Sequence, residues 1–194
     1  MKYNRIGLFG GSFNPPHLGH LIMAEEFVNR FSIDKLFFIP VGIPPHKNVE
    51  LAPKEDRFKM TVLATADNEK FFVSDYEIKK EEPSYTYITV LEFKNRFYNS
   101  EIFLLLGYDS LLEIKTWKNY NLIFENAKLC AFAREGFDIR GFDKEILRKI
   151  LIIDDIKINI SSSMIRERIK KGLPYRYFLH PRVYDYIVAK GFYR

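Results

Sequence analysis

Six strand-length apolar runs, at 5–9, 36–40, 71–75, 102–106, 128–132 and 150–153, are separated by longer amphipathic stretches, and that alternation restricts the fold more than any other feature of the chain. Runs of four or five apolar residues suit strands buried on both faces, whereas spacing at i, i+3 and i+4 suits one face of a helix. The longer stretches predict helices at about 17–31, 54–67, 86–98, 119–126, 143–149, 163–171 and 182–190. Strands that alternate with helices build an α/β fold, here a doubly wound, mostly parallel sheet with helices on both faces. The 194 residues suit one domain, 1–194, able to bury about 70% of its unfolded surface. No linker, repeat or low-complexity segment interrupts it, and 47% hydrophobic and 16% aromatic content exclude intrinsic disorder.

Ligands of open α/β sheets bind beyond the carboxyl ends of the strands. Three segments fall there: the turn at Gly10, the proline-rich loop Pro40 to Lys47, and the turn Gly107-Tyr108-Asp109. The first is the most informative, running Gly10-Gly11-Ser12-Phe13-Asn14-Pro15-Pro16-His17-Leu18-Gly19-His20. Glycines at 10 and 11 are expected to adopt backbone conformations closed to other residues and to let a ligand approach the main chain. Asn14 is expected to cap the following helix, with Pro15 at its first position. A helix start attracts anions through free N–H groups and a partial positive charge. His17 and His20, two of only four histidines, lie at i, i+3 and face one bound group. No Gly-Lys-Ser/Thr follows, so this is not a Walker A loop, and the glycine spacing is not the dinucleotide fingerprint. His-x-x-His without a third ligand nearby does not identify zinc.

A second anion site is predicted at Ile160-Ser161-Ser162-Ser163-Met164-Ile165-Arg166. Serines before an apolar periodic run are helix caps. Arg166, however, lies in the first turn, where the helix dipole disfavours positive charge by about 0.3–1 kcal/mol. A bound phosphate would reverse the sign of that interaction.

The formal charge of +5 and pI near 9.1 favour anionic partners. Basic residues are interleaved with acids, as in Lys79-Lys80-Glu81-Glu82 and Arg166-Glu167-Arg168, which argues against nucleic acid as the partner and makes a non-catalytic RNA-binding module the lesser reading. The lone Cys130, inside an apolar run, rules out an intrachain disulfide and reads as a buried strand thiol. Neither a cleavable signal nor a membrane-length apolar stretch is apparent, so a cytoplasmic location without membrane association is expected. The aromatic residues from Tyr175 to Tyr193 suit either helix packing or a subunit interface, which leaves a homo-oligomer open.

Together, His17-Leu18-Gly19-His20 and Ile160 to Arg166 resemble the His-x-Gly-His and Ile-Ser-Ser-x-x-Ile-Arg signatures of the nucleotidyltransferase superfamily, whose Rossmann-like core is shared with class I aminoacyl-tRNA synthetases. Within it, the chain resembles the bacterial nicotinate mononucleotide adenylyltransferases through Pro40 to Lys47, Ser84 to Thr89, Gly107-Tyr108-Asp109-Ser110 with Trp117, and Arg134-Glu135-Gly136. It differs from the usual pattern at Tyr108, Lys118 and Glu135. The resemblance implies transfer of the adenylyl group of ATP to nicotinate mononucleotide in NAD biosynthesis, giving the dinucleotide and pyrophosphate. Nicotinamide mononucleotide or phosphopantetheine are the alternative acceptors. By the same resemblance, Gly10, Ser12, Phe13, His17, His20, Gly107, Asp109, Ser162, Ser163 and Arg166 contact ATP, with His17, His20 and Arg166 catalytic. Lys47, Thr86, Trp117 and Arg134 fall where the mononucleotide binds. Mg²⁺ is expected chiefly on ATP phosphates, with no dedicated protein metal site.

Overall fold

The computed structural model describes residues 3–45, 51–133 and 136–194. Six strands, β1 (Arg5–Gly11), β2 (Lys35–Pro40), β3 (Phe71–Val73), β4 (Glu101–Gly107), β5 (Lys128–Phe132) and β6 (Ile150–Ile153), form one sheet. Every pairing is parallel, in the order β3-β2-β1-β4-β5-β6. This is the doubly wound Rossmann-like order, and the chain reverses direction across the sheet between β1 and β4. Helices α1 (Leu18–Arg30), α2 (Lys54–Thr65), α3 (Thr86–Arg96), α4 (Tyr108–Leu112), α5 (Tyr120–Asn126), α6 (Lys144–Leu147), α7 (Ser162–Lys170) and α8 (Pro181–Lys190) connect or follow the strands. None of the described helices is long and apolar enough to cross a membrane.

Strand residues alternate between two apolar layers, as a sheet covered on both faces requires. Ile6 and Leu8 of β1, Leu104 and Leu106 of β4, and Leu129 of β5 join Val90 and Phe93 of α3 and Ile123 of α5. Their neighbours Phe9, Phe103, Leu105 and Cys130 face the other way, onto Ala24, Phe27 and Val28 of α1. Burial raises the Cys130 thiol to about 12, which makes it an inert core residue. A third cluster unites α2, α7 and α8 through Met60, Ile165, Val183 and Ile187. Tyr175, Phe178, Tyr184, Tyr186, Phe192 and Tyr193 pack against that cluster, so packing accounts for much of the aromatic character of this region.

Three local expectations are corrected. Asn14 does not cap α1 and Pro15 does not open it, because a residue before proline is driven out of the helical region and both precede a proline. The helix begins at Leu18, with an extended His17 as its N-cap. Gly10 and Gly11 are the last residues of β1, and the left-handed conformation belongs instead to Phe13, at φ 44°. Gly107-Tyr108-Asp109 leads directly into α4, which at five residues is too short to show a helical period.

Gly7 lets α1 lie close on β1: a Cβ there would stand 2.7 Å from Phe27 and 2.8 Å from Leu36. Gly7→Ala is therefore expected to lower stability by about 1–3 kcal/mol through overpacking. Chemical denaturation checks this, and an unchanged midpoint would show slack between α1 and the sheet.

Candidate active site

A cleft of about 460 Å³ opens at the carboxyl ends of β1 and β4, on the switch point of the sheet. Gly10, Ser12, His17 and His20 line it from the first turn, Gly107 and Asp109 from the end of β4, and Ser162, Ser163 and Arg166 from the start of α7. Thr86, the first residue of α3, and Trp117 line the same space. Segments far apart in sequence thus meet at one cavity. A Cβ at Gly10 would meet nothing within 4 Å, so this glycine keeps the cleft open and is not required by backbone geometry. Lys47 and Arg134 lie outside the described residues, as does Glu135.

The two histidine rings stack, with centroids 3.7 Å apart and planes at 28°. The His17 N–H donates to Nδ1 of His20 at 3.1 Å. A neutral His20 therefore carries its proton on Nε2, which becomes its donor. Phe13 meets the His20 ring edge-on at 5.1 Å. Its own side chain is only 1% exposed and is not on the cleft wall, so Phe13 forms a floor beneath His20.

At the other side, Ser161 caps α7 by accepting from Met164 N at 3.1 Å. Ser162 Oγ donates to the Pro15 carbonyl at 2.8 Å, and Arg166 Nη1 to the Asn14 carbonyl at 2.8 Å. Arg166 Nη2 also reaches Ser163 Oγ at 3.4 Å. The guanidinium thus bends back over its own helix start, bringing positive charge to the cleft, where two helix N-termini converge. Such an arrangement suits the oxygens of a polyphosphate.

Trp117 packs against the core while lining the cleft, so its ring serves both roles. Of the positions that depart from the family pattern, Tyr108 is buried in the core, and the Lys118 ammonium lies 4.5 Å over the Tyr85 ring at the cleft. A second hollow, of about 400 Å³, lies at the amino ends of the strands around Arg5, Lys128 and Lys149, where Glu101 pairs with Arg5 and Lys128.

Tyr193, Arg57 and Glu77, at or beside the site, escaped sequence reasoning, and Asn14 reads there only as a cap. Asn14 Oδ1 accepts from Ala52 N at 3.0 Å and from the Tyr193 hydroxyl at 2.8 Å. Arg57, 1% exposed, donates to the carbonyls of Ser12, Ala52 and Gly42. Glu77, 7% exposed, accepts from the Thr89 hydroxyl at 2.6 Å. A charged residue on the apolar face of a helix, as Arg57 is, was the one available sequence signal.

A cytidylyltransferase-like family model matches residues 8–168, and the chain belongs to that family of nucleotidyltransferases. It is 39% identical to a protein named "Probable nicotinate-nucleotide adenylyltransferase" from Caldicellulosiruptor saccharolyticus, over 98% of this chain and 99% of the relative. A relative of the same name from Carboxydothermus hydrogenoformans is 38% identical over 98% of each chain. In fold, the chain resembles Plasmodium falciparum nicotinic acid mononucleotide adenylyltransferase, solved in complex with NaAD, with a TM-score of 0.81 at 24% identity over 98% of each chain.

Burial pushes the Glu77 carboxyl above its ordinary value of 4.5, against the opposing effects of the Thr89 hydrogen bond and Lys80. A carboxyl raised in the folded state binds more protons there than in the unfolded chain, so its contribution is fully present below 4.5 and is lost as pH rises through the raised value. The wild type is expected to gain Tm relative to Glu77→Gln as pH falls from about 8 towards about 5. Parallel thermal scans of both proteins across that range check the sign.

Proposed function

We propose that this protein transfers the adenylyl group of ATP to nicotinate mononucleotide, as a single nucleotidyltransferase domain acting in the cytoplasm on small-molecule substrates. The observation that carries this reading is the convergence of the stacked His17–His20 pair and the Arg166-bearing start of α7 on one cleft at the sheet switch point. The names of the curated relatives supply the acceptor.

The chemistry follows from positioning. A phosphate oxygen of the mononucleotide attacks the α-phosphorus of ATP in line, a new P–O bond forms, and the bond to the β-phosphate breaks to release pyrophosphate. No protein nucleophile is required, because the attacking phosphate is already ionised. Nε2 of His20, with His17, donates to phosphoryl oxygens as negative charge shifts in the transition state. Arg166, Ser162, Ser163 and the free N–H groups of α7 hold the departing pyrophosphate. Gly10, Ser12, Gly107 and Asp109 complete the ATP side, and Asp109 suits hydrogen bonding to ribose hydroxyls. Thr86 and Trp117 face the acceptor, with the indole ring available to stack on a pyridine; Lys47 and Arg134 are proposed for the same side from sequence alone. Mg²⁺, entering on ATP phosphates, would supply charge neutralisation.

Pyrophosphate release, measured with ATP, Mg²⁺ and separately nicotinate mononucleotide, nicotinamide mononucleotide and phosphopantetheine, tests the acceptor. Highest turnover is expected with the first, and no product with any of the three would overturn the assignment. A folded His20→Ala protein is expected to lose about 10²-fold or more in kcat, the size of one transition-state donor. Near-normal turnover would remove His20 from the chemistry.

A further inference from the structure

Two nearly sealed side chains of opposite charge, Arg57 of α2 and Glu77 of the segment after β3, meet at one residue. That residue is Gly42, on the loop that follows β2. Arg57 Nη2 donates to the Gly42 carbonyl at 3.2 Å, while the Gly42 backbone packs directly against Glu77. No larger residue fits between them, since a Cβ at Gly42 would stand 2.1 Å from the Glu77 carbonyl oxygen. The other arms of the pair reach to opposite sides of the cleft. Arg57 Nη1 holds the Ser12 carbonyl at 2.9 Å, on the ATP side. The Glu77 carboxyl holds the Thr89 hydroxyl, one turn along α3 from Thr86 on the acceptor side. A further bond, Ser84 N to the Ile43 carbonyl at 2.8 Å, ties the same loop to the approach to α3.

We infer that Arg57 and Glu77 are a positioning pair that acts through Gly42 and Thr89 to hold the acceptor wall in register with the ATP turn. The inference rests on the adenylyl-transfer reading for the identity of the two sides. Burying an ionisable side chain costs free energy, so packing alone does not account for two of them here. What the pair provides is direction: five N–H donors in a rigid fork on one side, and a carboxyl that accepts from the Thr89 hydroxyl of α3 on the other. In-line transfer is sensitive to displacements of about 1 Å between the reacting groups, which gives such a brace a function.

Steady-state kinetics with each substrate varied separately tests this in Glu77→Gln, Thr89→Val and Thr89→Ser. The first two are expected to raise KM for nicotinate mononucleotide roughly tenfold, the scale of one charge-assisted hydrogen bond, while KM for ATP moves less than about twofold. Thr89→Ser, which keeps the hydroxyl, is expected to restore the acceptor KM. Because Trp117 is the only tryptophan and lines the cleft, quenching of its fluorescence gives the same split as Kd values without turnover. Equal changes for both substrates, no change for either, or failure of Thr89→Ser to rescue would overturn the positioning role while leaving the wild-type activity intact. A wild type that binds the mononucleotide without turning it over would instead overturn the proposed reaction, and the Kd split would still decide the role of the pair.

Discussion

Four residues from three distant parts of the chain make hydrogen bonds to Asn14 and Pro15. Ala52 N and the Tyr193 hydroxyl donate to the Asn14 side chain, Arg166 to its carbonyl, and Ser162 to the carbonyl of Pro15. Asn14 is 1% exposed, and a buried acceptor left without donors costs about 1–3 kcal/mol, so these contacts are mutually enforcing. They join the first phosphate turn to the start of α7 and to the segment after α8. The cleft therefore owes its shape to a knot of acceptors on Asn14 and Pro15, and its two halves are tied to each other.

Around that knot the protein carries features that no isolated helix or strand would favour. Phe13 adopts a left-handed φ of 44°, a conformation uncommon for a bulky residue, and its ring supports His20 from below. Arg166 carries its guanidinium back over the start of α7, where the helix dipole opposes positive charge. Glu77 is a carboxyl kept in a place that resists its charge. Such departures from local preference cluster where a structure must hold groups in a fixed geometry, and here they all lie at or beside the cleft.

Much of this was legible beforehand, for a definite reason. The six strand positions follow from apolar runs bounded by turn residues, and the two-sided burial of a parallel sheet makes those runs continuous enough to see. His17, His20, Ser162, Ser163 and Arg166 announced themselves through spacing and residue type. Helix α1 itself lies where its apolar period puts it, but its cap is His17 and not Asn14, because Pro15 and Pro16 outweigh the cap signal of Asn14. Short elements such as α4 have no period to detect, Glu77 and Tyr193 bond to residues 12 and 179 positions away, and Arg57 shows in sequence only as a charge on the apolar face of a helix.

By itself, the sequence determined the layers, the strands, the motifs proposed to hold phosphate and the family to which the chain belongs, because each depends on residue type within a short window. Tertiary structure alone decided that the two phosphate motifs share one cavity, that Asn14 is a strut and not a cap, and that Gly42 is held between buried charges of opposite sign. Those outcomes depend on hydrogen bonds and close approaches between segments far apart in the chain, and no local pattern records which donor will reach which carbonyl.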